Sequence, residues 1–193
     1  SMWLIPRMEE FQRDNPGIDI RIDASDVQVD LETSDVDLAL RYAMPAGATQ
    51  GGIRLFGEQL AVVASPWLLK SGKPLRTPAD VAQFTLIEAG DAHRTHYLEY
   101  LSWRRWFDTR DLTKLQPQRW LYFNYAHQIV QAALAGQGLA LARMPLIADA
   151  LAAGDLVEVL PGHRIDSPLA YWLMVGPRSA QRPEIKAFCA WLQ

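Results

Sequence analysis

Apolar and polar residues recur along the chain with two different periods. Near the N-terminus, Leu4, Met8 and Phe11 follow one another at intervals of three or four residues, with charged side chains between them. This spacing predicts an amphipathic helix over residues 3–14, in which Pro6 is tolerated because it falls in the first turn. Residues 18–24, IDIRIDA, then alternate strictly between apolar and polar, which predicts a half-buried strand.

Strand-like and helix-like segments continue to alternate over the rest of the chain, separated by prolines and glycines. Such alternation is typical of a mainly parallel sheet with helices on both faces, so we predict an α/β fold. The predicted strands are 35–43, 53–65, 84–89, 119–124, 139–142, 155–160 and 169–175. The predicted helices are a short one at Pro78, then 97–107, 125–135, 145–153 and one that starts at Pro183.

Two proline-containing turns, Ser65-Pro66 and Pro161-Gly162, divide the chain into three pieces. The middle piece, 65–161, is long enough to form its own small sheet, which leaves 1–64 and 162–193 to share another. We therefore expect two lobes joined by two crossings of the chain, with a cleft between them that suits a small ligand.

The composition favours a cytoplasmic protein that does not itself bind nucleic acid or membranes. The formal net charge is −3 and the pI about 5.8, so the chain has no general electrostatic attraction to DNA or anionic lipid. No apolar run approaches the roughly 18–20 residues of a membrane span, and no secretory signal is recognised. The single cysteine, Cys189, excludes an internal disulfide and fits a reducing compartment.

The stretch AALAGQGLALAR, residues 132–143, has the composition of a phosphate-binding loop but not its surroundings. Phosphate loops run from a strand through glycines into a helix, because the helix N-terminus presents free N–H groups to the anion. Here a predicted helix precedes Gly136 and Gly138, and a strand follows them. We therefore interpret one of these glycines as the left-handed residue that ends a helix.

Groups suited to catalysis or metal binding do not form a recognisable constellation. His93 and His96 are spaced to share a metal, but no third ligand stands out. Cys189 falls on the apolar side of the last helix, and no G-x-S-x-G nucleophile motif is present. The WRRW stretch at 103–106 could stack on nucleic-acid bases, yet an amphipathic helix with both tryptophans inside explains it better. We expect no catalytic residue, no metal and no cofactor.

Residues at the carboxyl ends of the predicted strands mark where a ligand would bind an α/β sheet. Asn124 is a candidate cap for the helix that follows it. Arg41 could pair with a ligand carboxylate in a fork geometry, or with Asp37 or Glu58 in a structural salt bridge, and both alternatives stay open. The strand-end positions are 24–27, 41–43, 88–93 and 123–127.

Six segments, in this order and at this spacing, are similar to the effector-binding domain of LysR-type transcriptional regulators: WLIPRMEEFQRDNPGIDIRI, DVDLALRY, LFGEQLAVVASPWLL, LRTPADVAQFTLIE, AALAGQGLALARMPLIADALAAGDLVEVLP and PEIKAFCAWL. The similarity runs from Trp3 to Leu192. The pieces GQGLALAR and DLALRY are most similar to the subgroup that regulates glycine-cleavage and β-lactamase genes. The resemblance implies two Rossmann-like lobes joined by two crossing strands, as in type II periplasmic binding proteins, with lobe I formed by 1–64 and 162–193 and lobe II by 65–161.

Carried over residue by residue, the resemblance implies an effector site at the strand ends identified above. The aromatic residues and Arg41 are compatible with an amino acid, an aromatic acid or another small organic acid. The positions that match the family's binding residues are Ala24, Ser25, Arg41, Tyr42, Ala64, Glu88, Ala89, Phe123 and Asn124, with Ala64 at the hinge.

The resemblance also implies macromolecular partners. Members of the family are cytoplasmic homodimers or tetramers, in which the helix at 3–14 of one subunit contacts the helix at 125–135 of its mate. The DNA contacts come from a separate N-terminal winged helix-turn-helix domain, which this sequence does not contain. The family's first strand and polar loop are expected just ahead of Ser1. The alternative is that both helices use their apolar faces entirely within their own subunit.

These observations together predict a small-molecule-sensing and oligomerisation domain of a bacterial LysR-type regulator. Two other functions are compatible with the same architecture. A solute-binding protein of a transport system would require a signal or lipid anchor. A small α/β enzyme would require an acid, a base or a nucleophile that converge in one place.

Overall fold

The computed structural model describes residues 2–25, 27–45, 51–90 and 96–193, which form two compact units. Unit 1 comprises Ser1–Gly57 and Leu169–Gln193, and unit 2 comprises Glu58–Pro168. The chain passes between the units inside two long strands, β2 (Ile53–Ala64) and β7 (Ile165–Val175). The division therefore differs from the predicted lobe boundaries at 64/65 and 161/162. Each boundary lies inside a strand, after Gly57 in β2 and after Pro168 in β7, and not at the proline-containing turns beside these strands.

Unit 1 packs two helices against antiparallel strands, which include the start of β2 and the end of β7. A 3-10 turn at Ile5–Arg7 leads into helix α1 (Met8–Asp14), which confirms the predicted helix with Pro6 in its first turn. Strand β1 (Leu38–Ala43) pairs antiparallel with the end of β7, and helix α6 (Pro183–Leu192) follows. The buried centre of the unit consists of Phe11, Leu173, Phe188 and Leu192.

The segment predicted as a strand at 18–24 is not one in the structure. Its apolar and polar residues still lie on opposite sides, since Ile18 and Ile20 contact the unit 1 core while Asp19 and Arg21 are exposed. Within the part of the chain that the structure describes, no strand forms a backbone ladder with it. A strand requires a hydrogen-bonded partner, and side-chain periodicity alone does not supply one.

Unit 2 contains the remaining strands in a mixed arrangement. Strand β3 (Thr85–Ala89) pairs in parallel with β4 (Arg119–Phe123) and with β5 (Leu139–Arg143). Strand β2 pairs antiparallel with β5 and with the short β6 (Val157–Glu158). The α/β class is confirmed, but the prediction of a mainly parallel sheet is wrong. Within the described ranges, parallel pairing is found for β3 with β4 and β5, whereas β2 runs antiparallel to β5 and β6, and β1 runs antiparallel to β7.

The helices of unit 2 enclose a core built around two tryptophans. The predicted helix at 97–107 is divided at Ser102, whose hydroxyl accepts a hydrogen bond from the Arg105 N–H and begins a new helix. Trp103 and Trp106 are fully buried, so the amphipathic interpretation of WRRW is confirmed. The helical segments are α2 (Pro66–Leu69), 3-10 turns at Pro78–Gln83 and His96–Leu101, α3 (Trp103–Asp108), α4 (Ala126–Leu134) and α5 (Met144–Ala152).

The glycines at 136 and 138 end helix α4 and start strand β5. Gly136 has a φ of +74°, its N–H donates to the Ala133 carbonyl, and the Gln137 N–H donates to the Ala132 carbonyl. This pair of bonds is the Schellman motif, which closes a helix with a left-handed residue. Gly138 serves a different purpose, because a Cβ there would clash with the Thr85 carbonyl oxygen. The interpretation as a helix end is confirmed.

None of the helices in the described ranges is both long enough and apolar enough to cross a membrane.

Candidate functional site

Four of the predicted site residues lie together in unit 2, at the carboxyl ends of the adjacent parallel strands β3 and β4. Glu88 is directly opposite Tyr122, and Ala89 is opposite Phe123, with Asn124 following. Successive side chains of a strand point to opposite faces. Glu88 and Tyr122 therefore share one face of the sheet, and Ala89 and Phe123 share the other.

Glu88 is half-buried and caps the start of helix α3. Its carboxylate oxygen Oε1 accepts a hydrogen bond from the Trp103 backbone N–H at 2.7 Å. Burial raises the pKa of the Glu88 carboxyl, and the hydrogen bond from Trp103 opposes that rise. The result is a carboxylate held in a fixed place at a strand end, in surroundings that disfavour an uncompensated negative charge.

Tyr122 belongs to the same site, although the sequence reasoning did not select it. Its side chain is 54% exposed, and its ring stacks on that of Trp120 with centroids 5.8 Å apart and an interplanar angle of 14°. Desolvation and the negative charge of Glu88 both raise the pKa of the Tyr122 hydroxyl. The signal that could have identified Tyr122 is the pairing register, since the alternation in β4 gives it the face of Glu88 once β3 and β4 are aligned.

The other face of these strand ends is covered by helix α4. The Phe123 carbonyl accepts a hydrogen bond from the Gly90 N–H at 2.8 Å. The backbone N–H groups of Asn124 and Tyr125 both donate to Oε1 of Gln128, at 3.2 and 3.1 Å. The prediction of Asn124 as the helix cap is therefore wrong, because Tyr125 occupies the cap position and the Gln128 side chain binds the free N–H groups.

A shallow depression of about 340 Å³ lies between β4 and α4. Of the predicted site residues, it includes Phe123. Its lining is rich in side-chain amides and consists of Leu121, Phe123, Gln128, Gln131, Ala132 and Gln137.

In unit 1, Arg41 is held by a backbone group. Its guanidinium donates to the Val29 carbonyl at 2.7 Å, and its strand neighbour is Trp172. Neither Asp37 nor Glu58, the two acids considered as salt-bridge partners, forms an ion pair with Arg41 in the described structure. Their carboxylates bond to other arginines, Asp37 to Arg182 at 3.0 Å and Glu58 to Arg143 at 2.9 Å.

Tyr42 points to the opposite face of β1 from Arg41 and belongs to a row of aromatic rings in unit 1. The ring centroids of Tyr42 and Tyr171 lie 4.9 Å apart. The row continues from Tyr171 to Phe56, with centroids 4.6 Å apart, and from Phe56 to Trp3, with centroids 4.9 Å apart. The two predicted site residues Arg41 and Tyr42 are thus on opposite faces of β1 and do not contribute to one site on a single face.

The remaining predicted residues lie apart from these groups. Ala24 and Ser25 are exposed, and the Ser25 hydroxyl accepts a hydrogen bond from the Val27 N–H at 3.0 Å. Ala64 is completely buried and pairs with Val157. It therefore lies inside unit 2, whereas the first passage of the chain between the units follows Gly57.

Metal and thiol chemistry gain no support from the described residues. Within them, no group of three or more histidine, cysteine, aspartate or glutamate residues is placed to hold a metal ion. His93 and the side chain of His96, whose spacing suits a metal but for which the sequence offers no third ligand, lie outside the described part of the chain. Cys189 packs with the unit 1 core as expected, and burial raises the pKa of its thiol.

Comparison with known proteins gives a match over the whole chain. A model of the LysR substrate binding domain family matches residues 1–193. A glycine cleavage system transcriptional activator of Escherichia coli (strain K12) is 34% identical over 190 residues, which is 98% of this chain and 59% of the relative. The transcriptional activator AmpR of Pseudomonas aeruginosa is 29% identical over 191 residues, 98% of this chain and 60% of AmpR. The chain thus spans about three fifths of the curated relatives it matches.

Solved structures agree with this result. The effector domain of AmpR of Pseudomonas aeruginosa superposes with a TM-score of 0.72 at 28% identity, covering 99% of this chain and 87% of that domain. The regulatory domain of CrgA from Neisseria meningitidis superposes with a TM-score of 0.72, covering 99% of this chain and 90% of that one. At 20% identity, this similarity supports the fold alone.

Proposed function

Because the chain belongs to the LysR substrate-binding domain family, we propose that it is the effector-sensing domain of a bacterial transcriptional regulator. The observation that carries this proposal is the match of the family model over residues 1–193, together with relatives that are themselves transcriptional regulators. The same relatives favour sensing over solute transport. In the complete regulator, DNA is bound by a separate N-terminal domain, and the protein works in the cytoplasm without catalysing a reaction.

The proposed mechanism is a shift of population between conformations of the regulator. A small organic effector binds at the strand ends of unit 2, where Glu88, Tyr122, Phe123 and Asn124 are grouped. Arg41, on β1 of unit 1, is a separate candidate partner for an effector carboxylate. Binding favours one conformation by the difference in affinity for the two, and this changes how the DNA-binding domains meet their operator.

We also propose that the regulator is a homodimer, or a tetramer, through helices α1 and α4. Each helix buries part of its apolar surface in its own unit, Phe11 from α1 and Ala133 from α4. Each also has an apolar side chain at the surface, since Ile5 in the turn before α1 is 55% exposed and Leu134 at the end of α4 is 39% exposed. These exposed residues are available to a second subunit.

A thermal-shift screen tests effector binding. The purified chain is heated with amino acids, aromatic acids and cell-wall peptide fragments, and Arg41→Ala is measured beside it. A ligand at 100 times its dissociation constant adds about 2.7 kcal/mol to the stability of the folded state. We expect at least one compound class to stabilise the chain. If no compound raises the melting temperature, the sensing function is contradicted.

A further inference from the structure

Glu88 is an ionisable side chain placed directly after a buried run of β3. The two preceding residues, Leu86 and Ile87, are almost completely inaccessible, at 0% and 1% exposure. A carboxylate beside such residues is costly unless its charge meets a partner. The position thus raises the question of which group supplies the compensating charge.

The partners of Glu88 account for only part of its carboxylate. Oε1 accepts the Trp103 N–H at 2.7 Å. Among the residues that the structure describes, no lysine, arginine or histidine forms an ion pair with Glu88, and Oε2 accepts no hydrogen bond. One oxygen is therefore used to begin α3, and within the described ranges no other group takes up the second oxygen or the charge, which leaves both for a ligand.

Tyr122 places an aromatic face beside this carboxylate. It is the cross-strand neighbour of Glu88, it is 54% exposed, and stacking on Trp120 holds its ring in place. Gly90 packs closely against Tyr122, since a Cβ there would lie 3.2 Å from the Tyr122 Cβ. An aromatic face next to a carboxylate attracts a cation by charge and by the ring quadrupole.

We propose that this pair recognises an ammonium group of the effector, with Glu88 as its counter-ion and the Tyr122 ring beside it. The inference rests on the proposed sensing function and names the ligand group that unit 2 selects. A primary amine is accepted, whereas a hydroxyl in its place lacks the charge and a carboxylate is repelled by Glu88.

Matched compounds isolate the ammonium group. The chain is titrated calorimetrically with L-alanine and L-lactate, with L-phenylalanine and L-phenyllactate, and with the other amino acids and 2-hydroxy acids paired in the same way. Primary amines that lack the carboxylate complete the panel. We expect at least one amine to bind and its hydroxyl counterpart to bind at least about tenfold more weakly, because charge-assisted hydrogen bonds are roughly twice as strong as neutral ones.

Substitutions test the two side chains separately. Glu88→Gln removes the charge but keeps an oxygen that accepts the Trp103 N–H, so the chain stays folded, which circular dichroism checks. We expect it to weaken amine binding about tenfold and to remove the preference for amine over hydroxyl. Tyr122→Leu weakens binding about threefold through loss of the ring. The exposed Glu99 provides the matched control, and Glu99→Gln leaves the affinity unchanged.

The outcomes separate this inference from the proposed function. Hydroxy acids that bind as tightly as the amino acids, or Glu88→Gln with unchanged amine affinity, overturn the ammonium site and leave sensing intact. Failure of every compound, charged or neutral, to bind the folded chain overturns both.

Discussion

At the scale of single residues, the ion pair of Glu58 and Arg143 gives the sharpest expectation for stability. The Glu58 side chain is 0% exposed, and its carboxylate lies 2.9 Å from Nε of Arg143. Removing one member of a buried pair takes the opposite charge away from the other, which costs about 3–5 kcal/mol. We expect Glu58→Ala to lower the free energy of unfolding, measured by urea titration, by roughly 3 kcal/mol.

The exposed pair of Glu184 and Arg182 is the control for this experiment. These side chains are 2.6 Å apart but 38% and 50% exposed, so water screens their attraction. Glu184→Ala should change stability little. If it destabilises the chain as much as Glu58→Ala does, burial is not what makes the Glu58 pair important.

Glu88 predicts a dependence of stability on pH. Burial raises its folded-state pKa above the ordinary value of 4.5, so the folded state binds the proton more tightly than the unfolded chain does. The contribution of the protonated group to stability is complete below pH 4.5 and is lost as the pH rises through the folded-state pKa. We therefore expect Glu88→Gln to be more stable than the natural chain at pH 7.

Melting curves across pH 4 to 7 measure this difference. The advantage of Glu88→Gln should shrink as the pH falls toward the ordinary glutamate value. A constant advantage at every pH would mean that the substitution acts through packing and not through the charge.

At the scale of secondary-structure elements, the junction of α4 and β5 depends on two glycines for two separate reasons. A side chain at Gly136 meets a left-handed backbone, which costs roughly 1–2 kcal/mol, and a side chain at Gly138 meets the Thr85 carbonyl, which costs roughly 1–3 kcal/mol. We expect Gly136→Ala and Gly138→Ala each to lower the free energy of unfolding by these amounts.

Gly162 provides the comparison, because nothing lies within 4 Å of an added Cβ there and its φ is not left-handed. Gly162→Ala should be neutral or slightly stabilising. Equal destabilisation by all three substitutions would show that loss of glycine in itself, and not the junction geometry, is responsible.

Most of these elements could be predicted from periodicity, because helices such as α4 and strands such as β3 carry their own pattern. The exceptions depend on partners distant in sequence. The alternation at 18–24 identifies a side to bury but not a neighbouring strand. Tyr122 joins Glu88 only through the register of β4 on β3, and Glu88 is fixed by Trp103, fifteen residues further along. The part of the site that sequence reasoning missed is therefore the part formed by pairing.

At the scale of the whole molecule, the proposed dimer can be broken without disturbing either core. Ile5 and Leu134 are exposed, so Ile5→Glu and Leu134→Glu should fold normally while placing a charge in the proposed contact. We expect light scattering to give twice the 21.7 kDa chain mass for the natural chain and the chain mass itself for the variants. Val27, which is 75% exposed and lies on neither helix, is the control, and Val27→Glu should stay dimeric. A monomeric natural chain, or variants that remain dimeric, would contradict this contact.

The central claim, that this chain senses an effector on behalf of a DNA-binding protein, is tested most directly by the operator affinity of the full-length regulator. A DNA site selected from a random library is titrated with the protein by fluorescence anisotropy, with and without a compound that binds the isolated chain. We predict a change in operator affinity of at least about fivefold, which Arg41→Ala removes while effector-free DNA binding persists. An operator affinity that stays the same at saturating concentrations of the compound would contradict the account.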